Sequence, residues 1–232
     1  MEYSVHVRMN DRLFLRDPEG SELGRRIVQQ GILLFDEVGL EDATFKKLAE
    51  RIGTKEASIY RYFENKHRLL IYLVAWYWQW LDFQLIFQTK NLRDPREKLE
   101  RLLRLLLLLD LDDSFSEDID VRALHSIVIH EASKAYLTHH VTEDNRQQLF
   151  KPYKDFCKRT ADIILAYRSD YPYARSLASS VVETTHHQTF FMQNLPSLTD
   201  FGRNGSDQPD DPNKLLAFIR HLLFSALDAS TL

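Results

Sequence analysis

Residues 55–62 read KEASIYRY, and wound as a helix they turn Lys55, Ser58, Arg61 and Tyr62 outward, with Tyr60 between them. Cations, hydroxyls and phenols on one face form no covalent bonds by themselves. They offer charge and hydrogen-bond donors, which suits a groove with phosphate walls and a floor of base edges. Ile59 and Phe63, four apart, pin the same run to a core. Residues 43–68 carry seven Lys and Arg against three Glu, a local +4 in a chain of net charge −4. A basic patch on an acidic body is the footprint of local phosphate binding. The same residues would serve equally as the solvated cover of a helix hairpin.

Holding such a face in place takes at least two more helices. Ser21 is placed to cap a helix through Val38, whose Leu23, Ile27, Leu34, Phe35 and Val38 follow the helical period, and Gly39 ends it. A short helix follows from Thr44 to about Ile52. Ala49 is small where two helices approach closely, and Gly53 supplies the turn into the helix from about Lys55 to Phe63. A long helix then begins near Lys66.

The spacing of Phe35, Gly39, Thr44, Leu48–Ala49, Gly53, Ser58–Ile59–Tyr60, Tyr62–Phe63 and Asn65–Lys66 resembles, without gaps, the TetR family of bacterial transcriptional regulators. The resemblance covers roughly residues 21–70. It implies that Thr44 caps the second helix and touches phosphate, and that Lys46 lies near the backbone or a base edge. It puts Lys55 within reach of a base, and Ser58 and Tyr60 against phosphate or a thymine methyl. Tyr62 stands where the family often has His, a phosphate contact its phenol can replace. Lys66 resembles a phosphate-binding lysine aided by the positive end of its helix. Glu56 departs from the commoner small or polar residue: it repels phosphate, accepts from cytosine N4, or is simply solvated.

The rest of the chain is helical in pattern. Gly and Pro number only seven each, too few for a turn-rich β protein. Helices are predicted over 66–88, 95–111, two segments between 119 and 141, 143–168 with a bend at Pro152, 173–194 and 214–228. Polar loops are predicted at 112–118 and 196–213. Leu69–Phe87 is apolar enough to suggest a membrane span, but Gln79, Asp82 and Gln84 interrupt it, and an intramembrane Asp is costly. Met1–Asn10 has no apolar stretch of a secretion signal, and the single Cys157 allows no internal disulfide, so a cytoplasmic protein is expected. At the N-terminus, Tyr3, Val5, Val7 and Met9 alternate with polar residues. So do Leu13 and Leu15 beyond Asn10–Asp11, which reads either as a β-hairpin or as a disordered basic arm.

The predicted fold is all-α. An arm or hairpin (1–20) precedes a three-helix helix-turn-helix domain (21–66) and a larger antiparallel helical domain for effector binding and dimerisation (67–232). The expected function is sequence-specific DNA binding by a regulator, as a repressor released by a small-molecule effector. The alternative is a DNA-binding dimer with no effector, controlled by a protein partner or by abundance. Expected partners are palindromic double-stranded DNA, a second copy of the chain and an unidentified effector, with no membrane. Trp76, Trp80, Phe83, His186 and Phe190 are the candidates for an effector pocket, although aromatics at helical spacing are equally core. The last two helices are expected to form the dimer bundle, because 214–228 is apolar on more sides than one protomer covers. His125 and His130 are five apart, and His139–His140 and His186–His187 are adjacent pairs, so no metal site is expected, nor any cofactor. An enzyme is disfavoured by the lack of a Gly-rich phosphate loop, GxSxG or HExxH.

Overall fold

The computed structural model describes residues 9–111, 119–136, 141–202 and 211–229. Among these, all regular structure is helical: α1 (Glu22–Asp42), α2 (Phe45–Ile52), α3 (Glu56–Ile59), α4 (Lys66–Thr89), α5 (Pro95–Leu106), α6 (Val121–Tyr136), α7 (Val141–Arg146), α8 (Lys151–Tyr167), α9 (Ala174–Asn194) and α10 (Pro212–Asp228). The described residues of Met1–Trp80 and Asp112–Tyr153 form one compact unit, and those of Leu81–Leu111 and Lys154–Leu232 form another.

In the first unit, α1 packs on α2 and α2 on α3, and Ile27, Ile32 and Phe35 of α1, Leu48 and Ile52 of α2, Ile59, Phe63, and Leu69, Leu70 and Leu73 of α4 are all buried. Against α1 lies α6, whose buried stripe is Leu124, Ile127, Val128, Ala132 and Ala135. Ser21 caps α1, its Oγ accepting the Gly24 N–H at 3.1 Å. The helix then kinks at Gly39 (φ 71°), a backbone conformation costly for any residue with a Cβ, and makes one further turn.

The hairpin does not form in the part that is described; residues 3–8 of its first strand lie outside it. Asp11–Leu13 is a turn of 3-10 helix instead, with the Asn10 side chain accepting the Arg12 N–H at 3.0 Å. A strand would place Leu13 and Leu15 on one face, yet Leu13 is 1% exposed and Leu15 66%. An asparagine at a helix start caps more readily than it turns a hairpin when its side chain also finds a distant partner. Here Asn10 Nδ2 donates to the Gln147 carbonyl at 2.9 Å.

Two further boundaries differ from expectation. α5 ends at Leu106 rather than 111, since Leu108 takes positive φ and stops it. Of the two segments expected between 119 and 141, α6 runs over 121–136, and residues 137–140 lie outside the described residues. The predicted helix 143–168 is broken between α7 and α8 at Gln148, also at positive φ, so Pro152 stands in the first turn of α8 and bends nothing. The loop 112–118 and residues 203–210 of the second lie outside the described residues.

In the second unit, α10 packs on α9 and α5. Leu216 and Leu223 are both buried within the protomer. Phe218 and Leu222 of the same helix are only half-buried, so part of the apolar girth of α10 stays uncovered in the protomer. Asp82, the residue that spoke against a membrane span, forms a two-pronged ion pair with Arg159 at 2.6 and 3.0 Å. No helix among the described residues is long and apolar enough to cross a membrane.

Candidate nucleic-acid interface

The site is assembled from local turn chemistry. Thr44 opens α2, its Oγ1 accepting the Lys47 N–H at 3.2 Å, which satisfies one of the free amides of the first turn. Gly53 closes α2 in the left-handed region (φ 73°), and the Thr54 N–H returns to the Ala49 carbonyl at 2.9 Å. α3 is a single turn, Glu56–Ile59, extended by turns in which Tyr62 and Phe63 donate to the Ile59 carbonyl at 2.8 and 3.1 Å. With Ile59 and Phe63 buried, the outward positions are left to Lys55, Ser58, Tyr60 and Arg61. Ser58 is half-buried. Tyr60 is 47% exposed, and its ring stands edge-on to Phe45 at 5.0 Å, so it projects from a fixed base.

The cations of this region divide into two groups. Lys47 donates to the Asp42 carbonyl at 2.8 Å, Arg51 pairs with Glu37, and Arg68 pairs with the buried Asp144 at 3.1 Å. Lys66 Nζ donates to the carbonyls of Leu40 and Glu41 at 2.8 Å and of Ala43 at 3.1 Å. Lys46, Lys55 and Arg61 are exposed and have no such partner among the described residues. They are the charges the fold leaves available to phosphate.

Two expected contacts therefore change. Lys66 is half-buried and its ammonium is committed to backbone: the end of α1 leaves its last carbonyls without amide partners, as any helix end does, and the first residue of α4 reaches them. Tyr62 is not on an outward face. It is 2% exposed, and its hydroxyl is shared with Ser21 Oγ at 2.8 Å. The helical period that placed it outside stops applying once α3 ends at Ile59.

A residue missed from the sequence holds the interface to the rest of its unit. Glu131 of α6 is buried, and its Oε1 accepts the Leu40 N–H at 3.2 Å, directly after the kink. Its other oxygen pairs with Lys134 at 2.7 Å, and Lys134 also reaches Glu41 at 3.5 Å. The one available signal was a carboxylate on the otherwise apolar stripe of α6, where an unpaired charge would be costly.

The five pocket candidates fall in two places. Trp76 and Trp80 are buried in the first unit; Phe83, His186 and Phe190 belong to the second. Trp80 Nε1 is buried with no hydrogen-bond acceptor among the described residues. Phe83 is exposed and stacks on Phe87, with ring centroids 6.2 Å apart, while His186 is buried and Phe190 half-buried. None of the five lines the open groove of about 410 Å³ between α5 and α10, whose walls include Arg96, Arg220, His221 and Phe224.

His125 is half-buried and bonded within its own unit. Its Nδ1 lies 2.7 Å from the hydroxyl of Tyr77, which burial pushes above the ordinary phenol range and so keeps protonated as the donor. Loss of hydration, helped by the Arg122 charge, pushes the His125 pKa down to about 4. An unfolded imidazole titrates near pH 6.5, so between these values the unfolded chain binds the extra proton. Stability from this group is complete above about pH 6.5 and is lost as pH falls toward 4, by at most about 3 kcal/mol. Denaturant unfolding at roughly pH 7 and pH 5 should show that loss, and His125→Gln should flatten it. An equal loss in the variant would contradict the assignment.

A two-helix unit with a glycine turn, a capped entry and an exposed face of cations and phenol is the helix-turn-helix arrangement that DNA-binding domains use. Residues 27–73 match the family described as bacterial regulatory proteins, tetR family. No curated protein matches the chain. Among solved structures, the fatty acid degradation regulator FadR from Bacillus halodurans superposes with a TM-score of 0.60 at 17% identity, over 85% of this chain and 92% of that one. AibR, in complex with isovaleryl coenzyme A and operator DNA, gives 0.58 at 15% identity, over 86% and 98%. A protein from Saccharomonospora viridis described as a transcriptional regulator, in complex with choline, gives 0.59 at 16% identity, over 89% and 95%. At these identities the likeness is one of fold.

Proposed function

We propose that the chain is a sequence-specific transcriptional repressor that binds a palindromic operator as a homodimer and is released from it by a small-molecule effector. The observation that carries the DNA-binding reading is the sorting of cations. Lys46, Lys55 and Arg61 stay exposed and uncommitted around α3 while their neighbours are tied into the fold. Lys55 opens the recognition helix within reach of base edges, Tyr60 and Ser58 face phosphate or a thymine methyl, and Thr44 and Lys46 meet the backbone.

The effector reading draws support from Trp80. A buried indole N–H is normally paired, and the acceptor missing here would be supplied by a carbonyl or carboxylate of a bound small molecule. Isovaleryl coenzyme A and choline, the ligands of two fold neighbours, serve as first probes, because the fold admits chemistries that unlike. The dimer and the palindrome belong together in this reading, since a two-fold protein presents two copies of α3 to a two-fold operator. The test is light scattering of the full chain alone and with duplex DNA. A dimer that binds DNA and dissociates on adding an effector supports the whole proposal. A monomer that binds DNA alone contradicts the dimer, and a chain that binds no duplex contradicts the function.

A further inference from the structure

The chain before α1 carries a cation that the helix-turn-helix pattern does not include. Arg16 is exposed, and its guanidinium lies over the ring of Tyr62, 5.3 Å from the centroid. The backbone beside it is fastened to the same residue, the Leu15 N–H donating to the Tyr62 carbonyl at 2.7 Å. Upstream, Leu13 is buried, Asn10 is tied to Gln147, and the Phe14 ring stands edge-on to Tyr72 at 6.2 Å. Arg16 therefore projects from a braced segment rather than from a loose arm.

The acidic groups nearest in the chain are occupied elsewhere. Asp17 accepts the Glu19 N–H at 2.9 Å, and Glu19 accepts the Tyr72 hydroxyl at 3.3 Å. Among the described residues Arg16 has no carboxylate partner. The hydroxyl of Tyr62 is turned away to Ser21 at 2.8 Å, so the surface at that corner of the interface is the guanidinium resting on the ring.

We propose that Arg16 is a DNA-backbone ligand, taking the phosphate that the sequence pattern assigns to Tyr62, with the Tyr62 ring and carbonyl acting as its platform. A guanidinium stacked on an aromatic face keeps its N–H edge free for phosphate oxygens, and the ring limits the rotamers it would otherwise lose on binding. The proposal rests on the DNA-binding reading above. It adds one charge to the interface at a point fixed relative to α3.

Phosphate contacts are independent of sequence, so a mixed-sequence duplex is a sufficient probe for the full-length protein. Affinity is measured across a salt series for wild type, Arg16→Ala, Arg16→Lys and Arg61→Ala. Arg16→Ala should flatten the plot of log affinity against log salt by about 0.9 per lost contact, and Arg16→Lys should restore most of it. Restoration by lysine excludes a merely structural role, since lysine keeps the charge without the planar stack. If Arg61→Ala flattens the plot and Arg16→Ala does not, the DNA-binding reading stands and this proposal is overturned. If the wild type binds no duplex, both fall.

Discussion

Lys66→Met should lower the stability of the protein by about 2–4 kcal/mol, the scale of losing charged hydrogen bonds to several carbonyls and leaving those carbonyls unpaired. Met keeps the aliphatic stem, so the change isolates the ammonium. The three acceptors, Leu40, Glu41 and Ala43, lie beyond the kink in α1 and have no other cation on them. Thermal melting should shift down by roughly 5–15 °C for a chain of this size. Below the transition, the salt dependence of DNA binding should be that of the wild type, because Nζ is committed to three backbone carbonyls. A variant of unchanged stability whose salt slope falls by about one unit would instead make Lys66 a phosphate ligand.

Lys55→Ala should leave stability within about 0.5 kcal/mol of wild type, since the side chain is exposed and caps nothing. Its effect belongs to recognition. A cation reading a base edge at the start of the recognition helix is worth roughly 1–3 kcal/mol of discrimination. The variant should therefore lose about 5- to 150-fold in preference for the operator over mixed-sequence duplex. Competition binding with the two duplexes measures it directly. A loss shared equally by both duplexes would move Lys55 to the phosphate backbone.

What the sequence made legible was what local chemistry decides. Thr44 and Gly53 set the ends of α2 through contacts a few residues away, and both stand where the spacing puts them. Gly39 marks the break in α1 for the same reason, although one more turn follows it. What stayed hidden depends on distant partners or on backbone states without a residue signature. The partner of Glu131 is 91 positions away in the chain. The acceptors of Lys66 lie 23 to 26 positions before it in the chain. Tyr62 was misplaced because a helical count was carried past the end of a one-turn helix. Leu108 and Gln148 stop their helices at positive φ, a conformation that neither residue type announces. Periodicity shows how much of α10 is apolar, not that neighbours of the same chain cover Leu216 and Leu223.

Lys46, Lys55, Tyr60 and their neighbours around α3 are proposed to read duplex DNA, and selection from a random duplex library by the full-length protein is the direct test. A two-fold symmetric motif should be enriched, with half-sites centred about one or more helical turns apart. The selected duplex should bind at least about a thousandfold more tightly than mixed sequence at physiological salt. A library that emerges without any enriched motif, or retention on the protein that is indifferent to salt, would contradict that proposal.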